Sequence, residues 1–237
     1  MKAIITAAGL GERLGELTKD TNKCLLKIGE KPLIIHLVDE LKSLGVDPIY
    51  VVTGHCADRM QEELAGKVIL LSNPEYATTG LLSSVIKGKK YLIGSDFLVM
   101  TGDSLLHPKI IERIIKTKGQ VLASIDLKKC DQEDFKAIIK DDKIIRMSKN
   151  LPVEQATGEF TALVKVSKEA SGSFFEEIEK FIKDGSQKKY IADIVMLLQK
   201  RGFEVSPVYT GNLPRIEIDF PEDLKKAQEI HKEFKSV

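Results

Sequence analysis

Through the first half of this 237-residue chain, short apolar runs alternate with segments in which apolar residues recur every three or four positions. The runs predict buried strands over residues 2–6, 48–52, 68–71 and 97–100. The segments between them predict helices from Pro32 to a cap at Gly45, over 57–64 and over 80–90. Because neighbouring parallel strands need long crossover connections, this order predicts a parallel sheet wrapped by helices.

The second half is less regular and is predicted to be richer in strands. Its predicted strands cover 121–126, 135–139, 143–147, 159–166, 204–208 and 215–218. Its predicted helices cover 168–182, 190–200 and the segment that Pro221 opens. We therefore predict an α/β fold: a Rossmann-like, mostly parallel sheet flanked by helices, with a small β-rich lobe. No internal repeat or linker interrupts the chain, so residues 1–237 are predicted to form a single domain.

Charge and cysteine content exclude several classes of partner. The 36 basic and 35 acidic side chains leave a net charge of +1, whereas nucleic acid and anionic lipid require clustered basic excess. We therefore expect no nucleic-acid partner and no membrane partner, and no apolar run reaches the roughly 20 residues of a spanning helix. Cys24, Cys56 and Cys130 cannot build a disulfide framework or a thiolate zinc site. These features predict a cytoplasmic protein.

A glycine-rich segment follows the first predicted strand directly, with the sequence AAGLGERLG over residues 7–15. Glycines allow backbone N–H groups to curl around an anion and allow a phosphate chain to approach closely. The segment is not a dinucleotide fingerprint, because Leu14 stands at the sixth position counted from Gly9, and no Gly-Lys-Ser/Thr follows as in a P-loop. A plain strand-to-loop turn is the alternative for one or two of these glycines.

Two lysine segments stand behind this loop, TNKCLL around Lys23 and KPL at 31–33. Together with the loop they resemble the sugar-nucleotidyltransferase superfamily, although Asn22 stands where that family usually has proline. The resemblance implies the nucleotidyltransferase fold, in which the β-rich lobe serves the acceptor substrate. It also implies that Arg13 and Lys23 are catalytic contacts to the phosphates of a nucleoside triphosphate. The backbone that would hold this triphosphate belongs to Ala7, Ala8, Gly9 and Gly11.

Two aspartates follow predicted strands and are candidate metal ligands. Asp103 follows the strand over 97–100, and Asp219 ends the segment EID before the final helix. Carboxylate oxygens suit Mg²⁺, and α/β sheets place ligands at strand ends. The resemblance implies that Asp103 and Asp219 bind Mg²⁺, whereas turn capping is the alternative. We expect Glu217 to point to the opposite face and to be the weaker ligand.

The segment NPEYATTGLLSS, residues 73–84, resembles cytidylyltransferases that activate small phosphorylated alcohols. The ending EIDFPEDLKKA, residues 217–227, resembles the same group, so the similarity extends over essentially the whole chain. It implies that Thr78, Thr79 and Ser83 contact the base of the nucleotide. A turn at the threonines and a helix surface at the serine are the alternatives.

Two further residues are placed in an acceptor pocket by the same resemblance. Lys149 is implied to hold the acceptor phosphate, and Glu159 to bind acceptor hydroxyls or a cationic head group. A lysine at a hairpin edge and a solvated glutamate are the alternatives. The four histidines show no metal-ligand spacing.

The resemblance is closest to CTP:inositol-1-phosphate cytidylyltransferases. It implies Mg²⁺-dependent, in-line condensation of CTP with inositol 1-phosphate to CDP-inositol and pyrophosphate. Phosphocholine or phosphonate cytidylyltransferases and sugar-1-phosphate nucleotidyltransferases are the alternatives, and a regulatory subunit that binds nucleotide without turnover is a further class. The expected partners are CTP and a small phosphorylated alcohol, and a homodimer is compatible with the sequence, which leaves the oligomeric state open.

Overall fold

The computed structural model describes residues 1–185 and 189–234. Its strands are β1 (Lys2–Ala7), β2 (Lys27–Ile28), β3 (Lys31–Pro32), β4 (Ile49–Thr53), β5 (Ile69–Ser72), β6 (Phe97–Thr101), β7 (Ser104–Leu106), β8 (Val121–Asp126), β9 (Lys136–Lys140), β10 (Lys143–Ser148), β11 (Gly158–Val166), β12 (Val205–Tyr209) and β13 (Arg215–Glu217). Its α-helices are α1 (Leu33–Ser43), α2 (Ala57–Leu64), α3 (Leu81–Val85), α4 (Lys89–Leu92), α5 (Pro108–Lys116), α6 (Lys168–Lys183), α7 (Ile191–Lys200) and α8 (Pro221–Phe234). Short 3₁₀ helices cover Glu12–Thr18, Lys23–Leu25, Ile86–Gly88 and Val153–Gln155.

Nine strands form one mixed sheet. Along its main path the order is β10-β9-β11-β6-β1-β4-β5, while β8 pairs with β11 and β12. Strand β1 is parallel to β4 and β6, and β4 is parallel to β5. Strand β11 runs antiparallel to β6, β8 and β9, and so joins the β9–β10 hairpin to the parallel part. The predicted α/β class is confirmed, with antiparallel strands added to a parallel centre.

Each face of this sheet carries its own apolar core, because successive side chains of a strand point to opposite faces. Ile4 of β1 belongs to one core, into which α6 inserts Phe174 and Phe175. Ile5 of the same strand belongs to the other core, which Leu37 of α1 joins. A fully buried side chain of this size contributes about 1.5–3 kcal/mol, so these two layers hold the helices on the sheet.

Three local differences from the predicted elements matter for function. The predicted helix over 80–90 is divided into α3, a 3₁₀ turn and α4. Helix α5 was not predicted, although Pro108 occupies its first turn. Strand β13 pairs with β7 in a separate two-stranded sheet rather than in the central one.

Among residues 1–185 and 189–234, none of the helices is long and apolar enough to cross a membrane.

Candidate active site

A cleft of about 440 Å³ lies where β1 and β6 end. Its walls come from the glycine loop, the segment around Lys23, the residues between β5 and α3, and the turn after β6. Thr6 and Thr101, which are neighbours in the β1–β6 ladder, form its floor. This is the carboxyl edge of the parallel strands, where α/β sheets bind ligands.

The glycine loop bends into the cleft because Gly11 adopts a left-handed conformation. Its φ is +69°, and a Cβ there would lie 3.2 Å from Thr18 Cγ2. Thr18 closes this bend by donating its hydroxyl to the Gly11 carbonyl at 2.9 Å. Among the implied loop residues, Ala7, Ala8, Gly9 and Gly11 all line the cleft. A left-handed glycine is what allows this backbone to curve around the cavity.

Asn22 fixes the loop from behind, and its role was not predicted from the sequence. Its side chain is completely buried. The amide nitrogen lies 2.9 Å from the Ala7 carbonyl oxygen and 3.3 Å from that of Gly9, and the amide oxygen accepts from the Cys24 N–H at 2.9 Å. The asparagine therefore connects the glycine loop to the short helix that begins at Lys23.

Four charged side chains meet at the edge of the cleft. The Lys23 ammonium lies 2.5 Å from Asp103 Oδ2 and 3.2 Å from Asp219 Oδ1, and Arg13 lies 2.7 Å from Asp219 Oδ2. Burial opposes the charge on Lys23, but the two carboxylates outweigh it and raise the pKa of Lys23. Burial would likewise raise the pKa of Asp103, yet Lys23 holds that pKa below its ordinary value. The ion pairs therefore favour the charged forms of Lys23 and Asp103.

The β7–β13 ladder brings the two aspartates together. Glu217 pairs with Ser104 in this ladder, and the Ile218 N–H donates to the Asp103 carbonyl at 2.9 Å. Asp219 therefore follows β13 directly beside the turn that carries Asp103. Two positions 116 residues apart in sequence share one site because of this small sheet.

Glu217 is a third carboxylate at this site, and the expectation that it points to the opposite face is wrong. Its carboxylate and those of Asp103 and Asp219 offer oxygens that all lie within 4.8 Å of one another. The hydrogen bond from the Ile218 N–H holds this stretch of chain beside Asp103, which explains why Glu217 and Asp219 both reach it. The charge of Asp103, followed by burial and the charge of Asp219, raises the pKa of Glu217 to about 8.

This carboxylate cluster fits a divalent cation. Asp103 Oδ1 is buried and has no hydrogen-bond partner among the described residues. An orphaned carboxylate oxygen costs free energy unless a cation or a donor reaches it. Oxygen donors of this kind suit Mg²⁺ and Ca²⁺ rather than softer metals.

The segment between β5 and α3 forms the opposite wall. Of the three residues implied to contact the base, only Thr79 lines the cleft, while Thr78 is exposed and Ser83 lies outside the lining. Ser84 lines it instead, and the buried Asn73 donates to both Ser84 Oγ at 3.1 Å and Thr79 Oγ1 at 3.4 Å. Asn73 therefore orders this wall from within the protein.

A second cleft of about 510 Å³ adjoins the first and shares Arg13 and Asp219 with it. Glu159 lies in it, paired with Lys128 at 3.0 Å and with Arg215. Arg215 also pairs with Asp126 at 3.0 Å. The lining holds nine carboxylate side chains against four cationic ones, so this cleft is strongly acidic.

Lys149 lies outside this lining, with its ammonium 3.4 Å from the Glu133 carboxylate. Sequence reasoning missed Arg215, Lys128 and Asp126 in the second cleft. Asp126 is the last residue of a predicted strand, and Asp103 closely follows another. This shared position at a strand end could have indicated Asp126 as a site residue. The pairing of Arg215 depends on strands far apart in sequence, so no local pattern indicates it.

The matching family model is the MobA-like NTP transferase domain, which covers residues 3–141. The chain belongs to this family. Two curated relatives and one solved structure extend the comparison. The first relative is the CMP-5'-(3-aminopropyl)phosphonate synthase of Streptomyces rubellomurinus, 33% identical over 119 residues, which are 48% of this chain and 19% of that protein. The second is the bifunctional protein GlmU of Listeria monocytogenes, 29% identical over 219 residues, which are 87% of this chain and 46% of that protein.

The matches therefore span about a fifth to a half of the length of these relatives. The structure of the inositol-1-phosphate CTP transferase from T. maritima superposes with a TM-score of 0.83 over 99% of this chain and 96% of its own. At 20% identity this likeness shows the fold alone. The match to the NTP transferase family ends just after β9, so it covers the first cleft except Asp219 and only part of the second.

Proposed function

We propose that this protein transfers a cytidylyl group from CTP to a small phosphorylated alcohol, releasing pyrophosphate. The observation that carries the proposal is the ion-pair cluster of Lys23, Arg13, Asp103 and Asp219 beside the glycine loop. Membership of the NTP transferase family and the similarity to the CMP-5'-(3-aminopropyl)phosphonate synthase support it. A single domain over residues 1–237 and a cytoplasmic location remain predictions.

The chemistry requires positive charge more than it requires a base. An acceptor phosphate oxygen attacks the α-phosphorus of CTP, and the bond to the bridging oxygen of pyrophosphate breaks in line. Two like unit charges at van der Waals contact repel by about 4 kcal/mol at an effective dielectric of about 20. Lys23 and Arg13 would offset this repulsion, and the loop amides of residues 7–11 would hold the triphosphate. The attacking oxygen is already deprotonated at neutral pH, so no general base is needed.

Asp103 and Asp219 would hold Mg²⁺, with Glu217 as an additional oxygen donor close by. When bound, the ion supplies positive charge to the phosphates of donor and acceptor. The present partners of these aspartates, Lys23 and Arg13, are also the cations nearest to the cleft. With the ion held by the aspartates, both cations would also be available to the phosphates.

For the acceptor, inositol 1-phosphate is our first candidate. Its hydroxyls suit a pocket in which Glu159 and Asp126 offer carboxylate oxygens as acceptors. Arg215 and Lys128 are the cations on the floor of this pocket. We assign the acceptor phosphate to Arg13 and to the side of the second cleft that contains Asp219. Lys149 would act indirectly, through its ion pair with Glu133.

A second candidate is an acceptor with a cationic head, such as phosphocholine or an aminoalkylphosphonate. The excess of carboxylates in the second cleft favours it, because net negative lining attracts an ammonium group. The similarity to the CMP-5'-(3-aminopropyl)phosphonate synthase supports the same candidate. Sugar 1-phosphates form the third class of acceptor to be assayed.

The test is pyrophosphate release with CTP, UTP, ATP and dTTP, each against inositol 1-phosphate, phosphocholine, 3-aminopropylphosphonate and glucose 1-phosphate. We expect release with CTP, Mg²⁺ and one of the first three acceptors, and its loss on addition of EDTA. Lys23→Met serves as the inactive control. Absence of release with all sixteen pairs would overturn the proposal and favour a nucleotide-binding regulatory subunit.

A further inference from the structure

The side chain of Asn22 lies between the two parts of the site that would hold phosphate, the glycine loop and Lys23. It is completely buried and borders the first cleft. Its amide nitrogen is within hydrogen-bond distance of three backbone carbonyl oxygens, those of Ala7 at 2.9 Å, Gly9 at 3.3 Å and His55 at 3.2 Å. Two N–H bonds are therefore shared among three acceptors.

A loop that binds an anion turns its N–H groups toward the ligand and therefore turns carbonyl groups toward the protein. Buried carbonyls need donors, and a buried acceptor that loses its donor is costly. Asn22 supplies this donor to Ala7 and Gly9. On its other side, the His55 N–H donates to the Ala8 carbonyl at 3.0 Å. The rear of the loop is thus hydrogen-bonded along its length.

The amide oxygen of Asn22 contacts the other part of the site, the segment that carries Lys23. It accepts the Cys24 N–H and so caps the 3₁₀ helix that begins at Lys23. An N-cap of this kind fixes the start of a helix, here the residue whose ammonium reaches Asp103. One side chain therefore sets both the loop carbonyls and the backbone that carries Lys23.

We infer that Asn22 is a positioning residue for the nucleoside triphosphate. It keeps the backbone amides of residues 7–11 and the Lys23 ammonium in one fixed geometry for the phosphates. The inference rests on the proposed function, because it names a further residue for the same reaction. It predicts that loss of the amide weakens nucleotide binding without changing recognition of the acceptor.

Two variants and one matched control test this. Asn22→Ala removes the amide, while Asn22→Leu removes it and keeps nearly the same side-chain volume. Gln228→Ala is the control, since the Gln228 amide also accepts one backbone N–H, that of Gly29 at 2.8 Å. It also donates to one carbonyl, that of Lys27 at 2.7 Å.

We expect both Asn22 variants to bind CTP about tenfold more weakly in calorimetry with EDTA present, and to show a similar rise in KM for CTP. The KM for the acceptor should stay at the wild-type value, and Gln228→Ala should resemble wild type in both. Loss of folded protein alone would lower kcat and leave both KM values unchanged. A rise in the KM for CTP alone therefore separates a positioning role from a loss of stability. Thermal melting reports which variants are folded, and Asn22→Leu decides the test if Asn22→Ala does not fold.

An active wild type together with a folded Asn22→Leu variant of unchanged CTP affinity would overturn the inference and leave the proposed function standing. A wild type that binds no nucleotide and releases no pyrophosphate would overturn the proposed function, and the inference with it.

Discussion

At the scale of single residues, Asp103 shows most directly which charges the site requires. It is buried, its Oδ2 is paired with Lys23, and its Oδ1 has no partner among the described residues. A carboxylate is held there by pairing with a cation, because an unpaired charge in a buried position is strongly disfavoured. The structure supplies Lys23 on one side and leaves the other to the metal that we propose.

Asp103→Asn tests this arrangement, because asparagine has nearly the volume of aspartate but no charge. We expect kcat to fall at least about a hundredfold, since the proposed metal ligand is lost, while the melting curve stays cooperative. Steady-state pyrophosphate release and circular dichroism measure the two effects. Asp39→Asn, which breaks an exposed pair with Lys31, is the matched control and should keep wild-type kcat. Activity within tenfold of wild type in Asp103→Asn would exclude the metal assignment.

At the scale of secondary-structure elements, some helices of this protein depend on contacts far away in sequence. Helix α5 is an example, because its C-terminal carbonyls are held by a lysine of β11. Lys165 donates to the Ile115 carbonyl at 2.8 Å and to the Thr117 carbonyl at 2.7 Å. A cation at this end satisfies free carbonyls and opposes the negative end of the helix dipole.

Lys165→Met is therefore expected to lower the free energy of unfolding by about 1–3 kcal/mol, because two buried carbonyls lose their donor. Lys116→Met is the control: its exposed pair with Glu112 should contribute less than about 0.5 kcal/mol. Urea denaturation at equal m-values compares the two. Equal midpoints for both variants would show that the Lys165 contacts do not stabilise α5.

The same scale shows what the sequence could predict. The apolar period predicted strands β1, β4 and β6 and helix α1. For α1 the cap agrees with the period, because Gly45 has a φ of +74°, a conformation that favours glycine. Helix α5 was missed because its isoleucines have weak helix propensity and are helical through burial against the sheet. The partner of β13 was missed because pairing is a property of the assembled chain, and no residue near Arg215 specifies β7.

For the site, the sequence predicted Arg13, Lys23, Asp103 and Asp219, and the structure brings all four together. Local motifs succeed here because each residue stands at the end of a predicted strand or in the loop behind it. Reasoning along one strand failed for Glu217, whose carboxylate comes close to that of Asp103 because β13 pairs with β7.

At the scale of the whole molecule, a net charge of +1 conceals two clefts of different character. The first combines the cations of the glycine loop and Lys23 with three carboxylates, whereas the second is lined by nine carboxylates and four cations. Negative charge is therefore segregated into the clefts, most of all into the second, even though charge balances over the chain. Such local fields act on small charged substrates and are screened by salt.

This segregation predicts how acceptor preference depends on ionic strength. Phosphocholine and inositol 1-phosphate share the phosphate, so the ratio of their KM values isolates the head group. Raising salt from about 0.05 to about 0.5 M shortens the screening length to a few ångströms. We expect the KM for phosphocholine, divided by the KM for inositol 1-phosphate, to rise about threefold. Glu222→Gln, which removes one exposed carboxylate of the second cleft, should reduce this change. A ratio independent of salt, or no turnover of any cationic acceptor, would show that the acidic lining recognises hydroxyls rather than an ammonium group.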